Sequence, residues 1–277
     1  MMTLRKKLAY SGLELALWLI SLVILIPFYY LFINTVKQPQ DATEHPLSLP
    51  HVWNFQSYLD AWTKMEYPVV FGNTVMYMVI SVFIIIVLAS TAAYALVRRK
   101  TRYHAAIYYL FVGAIMMPYQ MMIMPLYRIV KVLHLMNTVP GVVFVYVFTA
   151  LPFAIFLYCG FMRSLPLELE EAACVDGSSV YRTFVSIVFP LLRPVTATVI
   201  VLKSIEVWND FMTQLLFIQS SSLQTITRKI YTNVGLFTTD WTSLLPMFVL
   251  GIAPMLLFYL MMQKNIIKGI SAGSIKG

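Results

Sequence analysis

The sequence predicts an all-α membrane protein of six transmembrane helices, and three observations carry that expectation. Of its 277 residues, 60% are apolar and only 12% charged, with a mean hydropathy of +0.76, too little polar surface to cover a water-soluble domain. Six apolar stretches, near residues 13–33, 71–97, 105–127, 139–161, 191–218 and 244–262, are long enough to cross roughly 30 Å of hydrocarbon at about 1.5 Å per helical residue. The basic residues are also shared unequally between the connections. Arg5, Lys6, Lys7, Arg98, Arg99, Lys100, Arg102, Arg163, Arg182, Arg193, Lys264, Lys268 and Lys276 fall on the side of the termini; Lys37, Lys64, Arg128, Lys131, Arg228 and Lys229 fall opposite. By the positive-inside rule both termini are then cytoplasmic.

The first span follows Arg5-Lys6-Lys7 as a secretory signal would. It runs too long, lacks a small-x-small cleavage site and continues through Tyr29, Tyr30 and Phe32, so it reads as a retained helix. Later spans contain or abut Pro118, Pro125, Pro140, Pro152, Pro246 and Pro254, each of which removes a backbone hydrogen bond and can kink its helix. All 277 residues are expected to form one transmembrane domain ending in a cytoplasmic tail over 263–277. The net charge of +8 is read as a topology signal and an affinity for anionic lipid headgroups of the bilayer, with no nucleic-acid partner.

Enzymatic chemistry finds no foothold. The phosphate loop Gly-x-x-x-x-Gly-Lys-Ser/Thr is absent, no nucleophile elbow occurs, and His45, His51, His104 and His134 with Cys159 and Cys174 make no ligand spacing. No catalytic residue, no metal and no cofactor held by this chain are expected. The two longest connections opposite the termini, 34–70 and 219–243, suit either a binding surface or interfacial anchoring by their aromatic residues.

On the cytoplasmic side the one long connection, 164–190, predicts two short helices joined by a sharp bend. Pro166 suits a first helical turn, and Glu168, Glu170 and Glu171 put negative charge near the positive end of the dipole. Gly177 supplies a left-handed residue, Ser178 or Ser179 can cap the next helix, and Val180, Phe184, Ile187 and Val188 form its apolar stripe until Pro190 stops it. Such an elbow either transmits force as a rigid lever or merely anchors the flanking spans at the interface.

The fifth span holds Lys203, Glu206 and Asp210 at i, i+3 and i+7. On a continuous helix they share one face with Thr196, Thr213 and Gln214. A charge at mid-bilayer costs about 2.5–3.5 kcal/mol, so that face is expected to meet a partner helix or water. One reading is the wall of a translocation path, with Lys203, Glu206, Asn209, Asp210, Thr213 and Gln214 offering hydrogen bonds and Trp208 and Tyr119 offering aromatic faces for stacking. The other is a structural ion pair of Lys203 with Glu206 or Asp210.

Leu165-Pro166-Leu167-Glu168-Leu169-Glu170-Glu171-Ala172-Ala173 with Asp176-Gly177 and Ile187-x-x-Pro190 closely resembles the EAA loop of ABC importer permeases. Asn137-Thr138, Leu151-Pro152-Phe153, Trp208-Asn209-Asp210-Phe211 and the tail Gly269 to Gly277 resemble its carbohydrate-uptake, maltose-permease-like branch, and the likeness runs from about Phe71 onward. Phe189 departs from the leucine usual there, one bulky apolar residue for another. The resemblance implies a sugar importer worked by alternating access in the cell membrane. This chain would form half of the pore with a homologous second permease. Two ATPase subunits would carry ATP and Mg and hydrolyse in trans, and an extracytoplasmic solute-binding protein would deliver the sugar. It also implies that Glu168, Glu171, Ala172, Ala173, Asp176, Gly177, Ser178 and Tyr181 form the coupling helix that meets the ATPase. An importer of glycerol phosphate esters or other polyols shares that motor contact; a motor-independent channel or secondary carrier lacks it.

Overall fold

The computed structural model describes residues 4–234 and 240–274, with side chains over 13–234 and 240–263. The Gly269 to Gly277 tail and Arg5-Lys6-Lys7 therefore have side chains outside the described residues. Every described element is helical. Four helices are long and apolar enough to cross a membrane, and two bent pairs raise the number to six if each pair is one span.

Where the sequence suggests one domain, the chain divides into two compact units: Met1–Tyr67 with Ile230–Ala253, and Pro68–Lys229 with Pro254–Gly277. The first unit contains α1 (Leu4–Thr35), α2 (Pro39–Glu44) and α3 (Gln56–Lys64). Most described apolar side chains of α1 are exposed, Trp18 by 71%, as befits a helix whose solvent is lipid. Beyond it the chain folds on itself. The buried Lys37 ammonium donates to the His45 carbonyl at 2.5 Å, Tyr29 donates to the Leu47 carbonyl at 3.0 Å, and the Asn54 amide donates to Val36 at 2.8 Å. Nδ1 of His51 lies 2.8 Å from Asp41 Oδ1 and holds that carboxyl below the usual carboxylate range.

The last long helix, α14 (Trp241–Ser274), begins in this unit. The helix runs on through most of the stretch expected to be a tail, while the part long and apolar enough to cross a membrane is Trp241–Gln263. Asp240 caps it. Its carboxylate accepts from the amides of Thr242 and Ser243 at 3.1 and 3.3 Å and from both their hydroxyls, and these bonds lower its pKa. Asp240→Ala should cost about 1 kcal/mol. Because the folded pKa is depressed, the cap's contribution is present above the unfolded value and is lost as pH falls through the folded one. Thermal melts of the wild type and variant should converge at the acid end and separate at neutral pH.

The second unit is built around α7 (Val139–Met162), against which α5 (Arg102–Ile115), α6 (Tyr119–Val132) and α11 (Arg193–Asn209) pack. It is apolar all round, and Val142, Val145, Ala154, Tyr158, Cys159 and Met162 are nearly or fully buried. Thr138 caps its start by accepting from the Gly141 amide at 3.2 Å, with Pro140 in the first turn. Just before it, Asn137 takes a left-handed φ of 58°. Its amide donates to Phe217, and its side-chain oxygen accepts from the amides of Gln219 and Ser220 at 3.0 and 2.9 Å. The Asn-Thr pair is thus a joint, tying the start of α7 to the end of α12 (Met212–Phe217).

Two expected spans are not single helices. The stretch 105–127 is broken between α5 and α6 by a bend of 109° at Met116 to Pro118. Pro118 has extended backbone (ψ 139°) and its ring drives the residue before it out of the helical region, so α5 cannot run on. The stretch 191–218 is broken at Asp210, whose ψ of 130° ends α11 before α12 begins.

Candidate functional site

The loop between the fourth and fifth spans folds as the elbow its residues predict, with two corrections. Its first helix, α8 (Glu168–Val175), starts after Pro166, with the three glutamates in its first turn. Gly177 has φ +77° and closes a Schellman turn: the Ser178 amide reaches the Ala173 carbonyl at 2.9 Å, and the Gly177 amide reaches Cys174 at 3.0 Å. Ser179 caps α9 (Val180–Thr183) through the Arg182 amide. Pro190, however, does not stop the second helix. A π-helical segment, Phe184–Val188, precedes it and is followed by α10 (Phe189–Leu191). Proline has no N–H to give the carbonyl four residues back and its ring crowds that carbonyl; the wider turn, with the Phe189 amide on Phe184, makes room for both. The direction changes instead at Leu192, where α11 sets off at 72° with Pro194 in its first turn.

The coupling residues do not all face one way. Glu168, Glu171, Ala172, Asp176, Gly177 and Tyr181 are exposed and Ser178 is half-buried. Ala173 is buried, so it packs beneath the elbow rather than presenting itself. Around the bend the exposed surface is apolar at its tips, with Val175 88% and Tyr181 86% exposed.

Sequence reasoning missed what holds this elbow. Glu170 turns inward to the end of α4 (Tyr67–Arg98), and its side chain is only 10% exposed. Arg98 Nε donates to Glu170 Oε1 at 2.7 Å, Nη2 lies 2.7 Å from the same oxygen, and Tyr94 donates to Oε2 at 2.9 Å. Tyr94 also packs on Phe184, ring centroids 5.0 Å apart. The one available signal was the i, i+3 spacing of Glu170 and Ala173, which defines a buried face of α8.

The polar stripe of the fifth span is rearranged by the break at Asp210. Lys203 is buried and pairs with Glu206 at 2.5 Å, its ammonium 5.0 Å from the Phe153 ring centroid. Asp210 pairs with neither. It accepts from the Tyr146 hydroxyl at 3.0 Å and from the Thr213 amide at 3.1 Å, starting α12, while its own carbonyl accepts from Thr227 at 2.8 Å. Gln214 is fully buried and its amide donates to Tyr146 at 3.4 Å. Tyr119 and Thr213 share a hydrogen bond of 2.8 Å.

A groove of about 460 Å³ brings Tyr119, Glu206, Asp210 and Thr213 together with Tyr146, Phe148, Thr149 and Phe153. Trp208 is not among its walls: it is 4% exposed and packs edge-on to Phe71, centroids 6.1 Å apart. Asn209 is exposed elsewhere. Thr196 is held away from the groove by Tyr158 at 3.0 Å. The groove therefore offers two carboxylates, several hydroxyls and the rings of Tyr119, Tyr146, Phe148 and Phe153, and no cation is among its lining residues. Such a wall accepts from hydroxyl groups and stacks on ring faces, and it offers no counter-charge to a phosphate.

Residues 85–271 match the family described as binding-protein-dependent transport system inner membrane component. The chain is 32% identical over 253 residues to the melibiose/raffinose/stachyose import permease protein MelC of Bacillus subtilis, covering 91% of each. It is 32% identical over 269 residues to the probable starch degradation products transport system permease protein AmyC of Thermoanaerobacterium thermosulfurigenes, covering 97% and 96%. To the diacetylchitobiose uptake system permease protein NgcG of Streptomyces coelicolor it is 29% identical over 274 residues, covering 98% and 90%. Its backbone matches a chain of a bacterial ABC transporter involved in import of the acidic polysaccharide alginate, with a TM-score of 0.86 over 95% of this chain and 98% of that one, at 19% identity, a likeness of fold.

Proposed function

The chain belongs to the binding-protein-dependent transport system inner membrane components, and on that premise we propose that it is one permease of an ATP-driven importer of oligosaccharides. A second, homologous permease completes the pore, an extracytoplasmic binding protein delivers the sugar, and two ATPase subunits bind at the elbow on the cytoplasmic side, where both termini lie. ATP and Mg stay on those subunits.

The observation that carries this reading is an exposed elbow, apolar at its tips and fastened by a buried ion pair to a membrane-crossing helix. A surface of that kind suits a protein partner, and the fastening lets displacement reach the bundle instead of bending a loop. The groove at Glu206 and Asp210 supports a neutral polyhydroxylated solute over a glycerol phosphate ester, and relatives named for melibiose, raffinose and stachyose, for starch degradation products and for diacetylchitobiose support a saccharide.

The importer and the motor-independent carrier part at one experiment. Affinity-purified chain should bring down ATPase subunits, and Glu171→Lys should reduce both their recovery and sugar uptake by about tenfold or more while membrane insertion stays normal. Unchanged uptake with full ATPase recovery in that variant sinks the elbow assignment. A gentler probe is Gly177→Val. A Cβ there meets nothing within 4 Å, so the change acts only through a φ of +77° that a β-branched residue resists. Reconstituted variant should hydrolyse ATP at near the normal rate with uptake lowered several-fold; equal ratios of sugar moved to ATP consumed would remove the bend from the mechanism.

A further inference from the structure

We propose that the concave surface at the turn between α4 and α5 is a headgroup site for an anionic phospholipid. α4 ends at Arg98 and α5 begins at Arg102, so the tight connection Arg99 to Thr101 gathers positive charge at the end of a membrane-crossing helix. These residues line a cavity of about 700 Å³, together with Arg163 at the end of α7. Arg98 is already paired with Glu170. The other cations, Arg99, Lys100, Arg102 and Arg163, have no ion-pair partner among the described residues, and no carboxylate lines the cavity.

Insertion asymmetry demands basic residues on one side of a membrane, but it does not require them to converge on a hollow. This hollow has three parts that together suit a phosphodiester attached to acyl chains. Guanidinium groups bind phosphate oxygens in a planar fork. Tyr108 and Tyr109 line one wall with the kind of amphipathic ring that favours the headgroup region, and the Arg163 guanidinium lies 4.5 Å from the Tyr108 centroid, which fixes its position. Leu96, Val97 and Leu165 supply an apolar floor for the first carbons of the chains. A free phosphate would use the first part alone. An acidic segment of a partner protein would use the charges and leave the floor without purpose. The proposal needs only that the chain is a multi-pass membrane protein, so it stands or falls separately from the sugar reading.

The assembled complex, stripped of lipid in detergent, is titrated with phosphatidylglycerol and with phosphatidylcholine of the same chain length and read by native mass spectrometry. Wild type should retain one phosphatidylglycerol per copy of this chain in preference to phosphatidylcholine. The triple substitution R99Q/K100Q/R102Q should weaken that binding by about a hundredfold, whereas R99K/R102K, which keeps the charges that direct insertion but not the guanidinium forks, should weaken it by less than about tenfold. Equal binding of the two lipids, or unchanged phosphatidylglycerol binding in the triple variant, overturns the site. Inorganic phosphate that displaces the lipid at equal concentration makes it a small-anion site and overturns the lipid assignment. Loss of partner subunits from the lipid-free triple variant, with phosphatidylglycerol binding intact, gives the hollow to a protein and overturns it equally.

Discussion

An Arg98→Leu chain should reach the membrane fraction at a small part of the wild-type level. The substitution leaves the Glu170 carboxylate shielded from water with only the Tyr94 hydroxyl on one of its oxygens. Removing one member of a buried pair costs about 3–5 kcal/mol, set against a total stability of about 5–15 kcal/mol. The counter-test is the double variant Arg98→Leu, Glu170→Leu. It leaves no unpaired charge and should recover most of the protein, because an apolar pair of similar volume is often neutral in such a place. The recovered double variant then isolates the mechanical role. With α8 no longer fastened to α4, ATP hydrolysis should persist while sugar uptake falls. Normal accumulation of the single variant would mean the ion pair holds nothing, and normal uptake by the double variant would mean the elbow moves the bundle by another route.

Gly141→Ala should be as damaging for a different reason. A Cβ built on Gly141 lies 2.0 Å from the Leu135 carbonyl oxygen and 3.0 Å from its carbon, both backbone atoms that no rotamer change can clear. The contact sits where Thr138 caps α7 and where Asn137 ties the end of α12, so relief requires moving α7, the helix against which α5, α6, α11 and α12 pack. The cost should reach or pass the ~3 kcal/mol upper end of ordinary overpacking. Loss of the folded band in detergent extracts, measured by fluorescence-detected gel filtration, is the expected result, and wild-type yield would show that α7 can shift cheaply. Gly160 is the internal control, since a Cβ there meets nothing within 4 Å and Gly160→Ala should be tolerated.

Much of this was legible in the residues, and the boundary between legible and illegible is local versus distant. Four of the helical spans, the elbow and its left-handed glycine follow from composition and from signals a few residues apart, and these stand where those signals place them. The residues Lys203, Glu206 and Asp210 do not share one face, because α11 ends at Asp210 and i, i+3, i+7 spacing places side chains together only on an unbroken helix. The aspartate itself makes the break, its side chain serving the next helix at Thr213. Pro118 was read as a kink, yet it makes a bend of 109°, a matter of degree that proline alone does not fix. The fastening of Glu170 by Arg98 joins residues 72 positions apart, and charges at that separation can be matched only after the helices are placed. Trp208, chosen as a stacking platform for its type, is taken up by Phe71 for the same reason.

The sharp turn between α5 and α6 also bears on how the chain is made. Each arm has 14 residues, about 21 Å at 1.5 Å per residue, so neither reaches across roughly 30 Å of hydrocarbon alone. Both lean on α7, which leaves the ribosome after them. For this stretch, the order of synthesis is the reverse of the order of support: the two arms precede the helix they pack on, and a chain that stopped at Val132 would lack that scaffold.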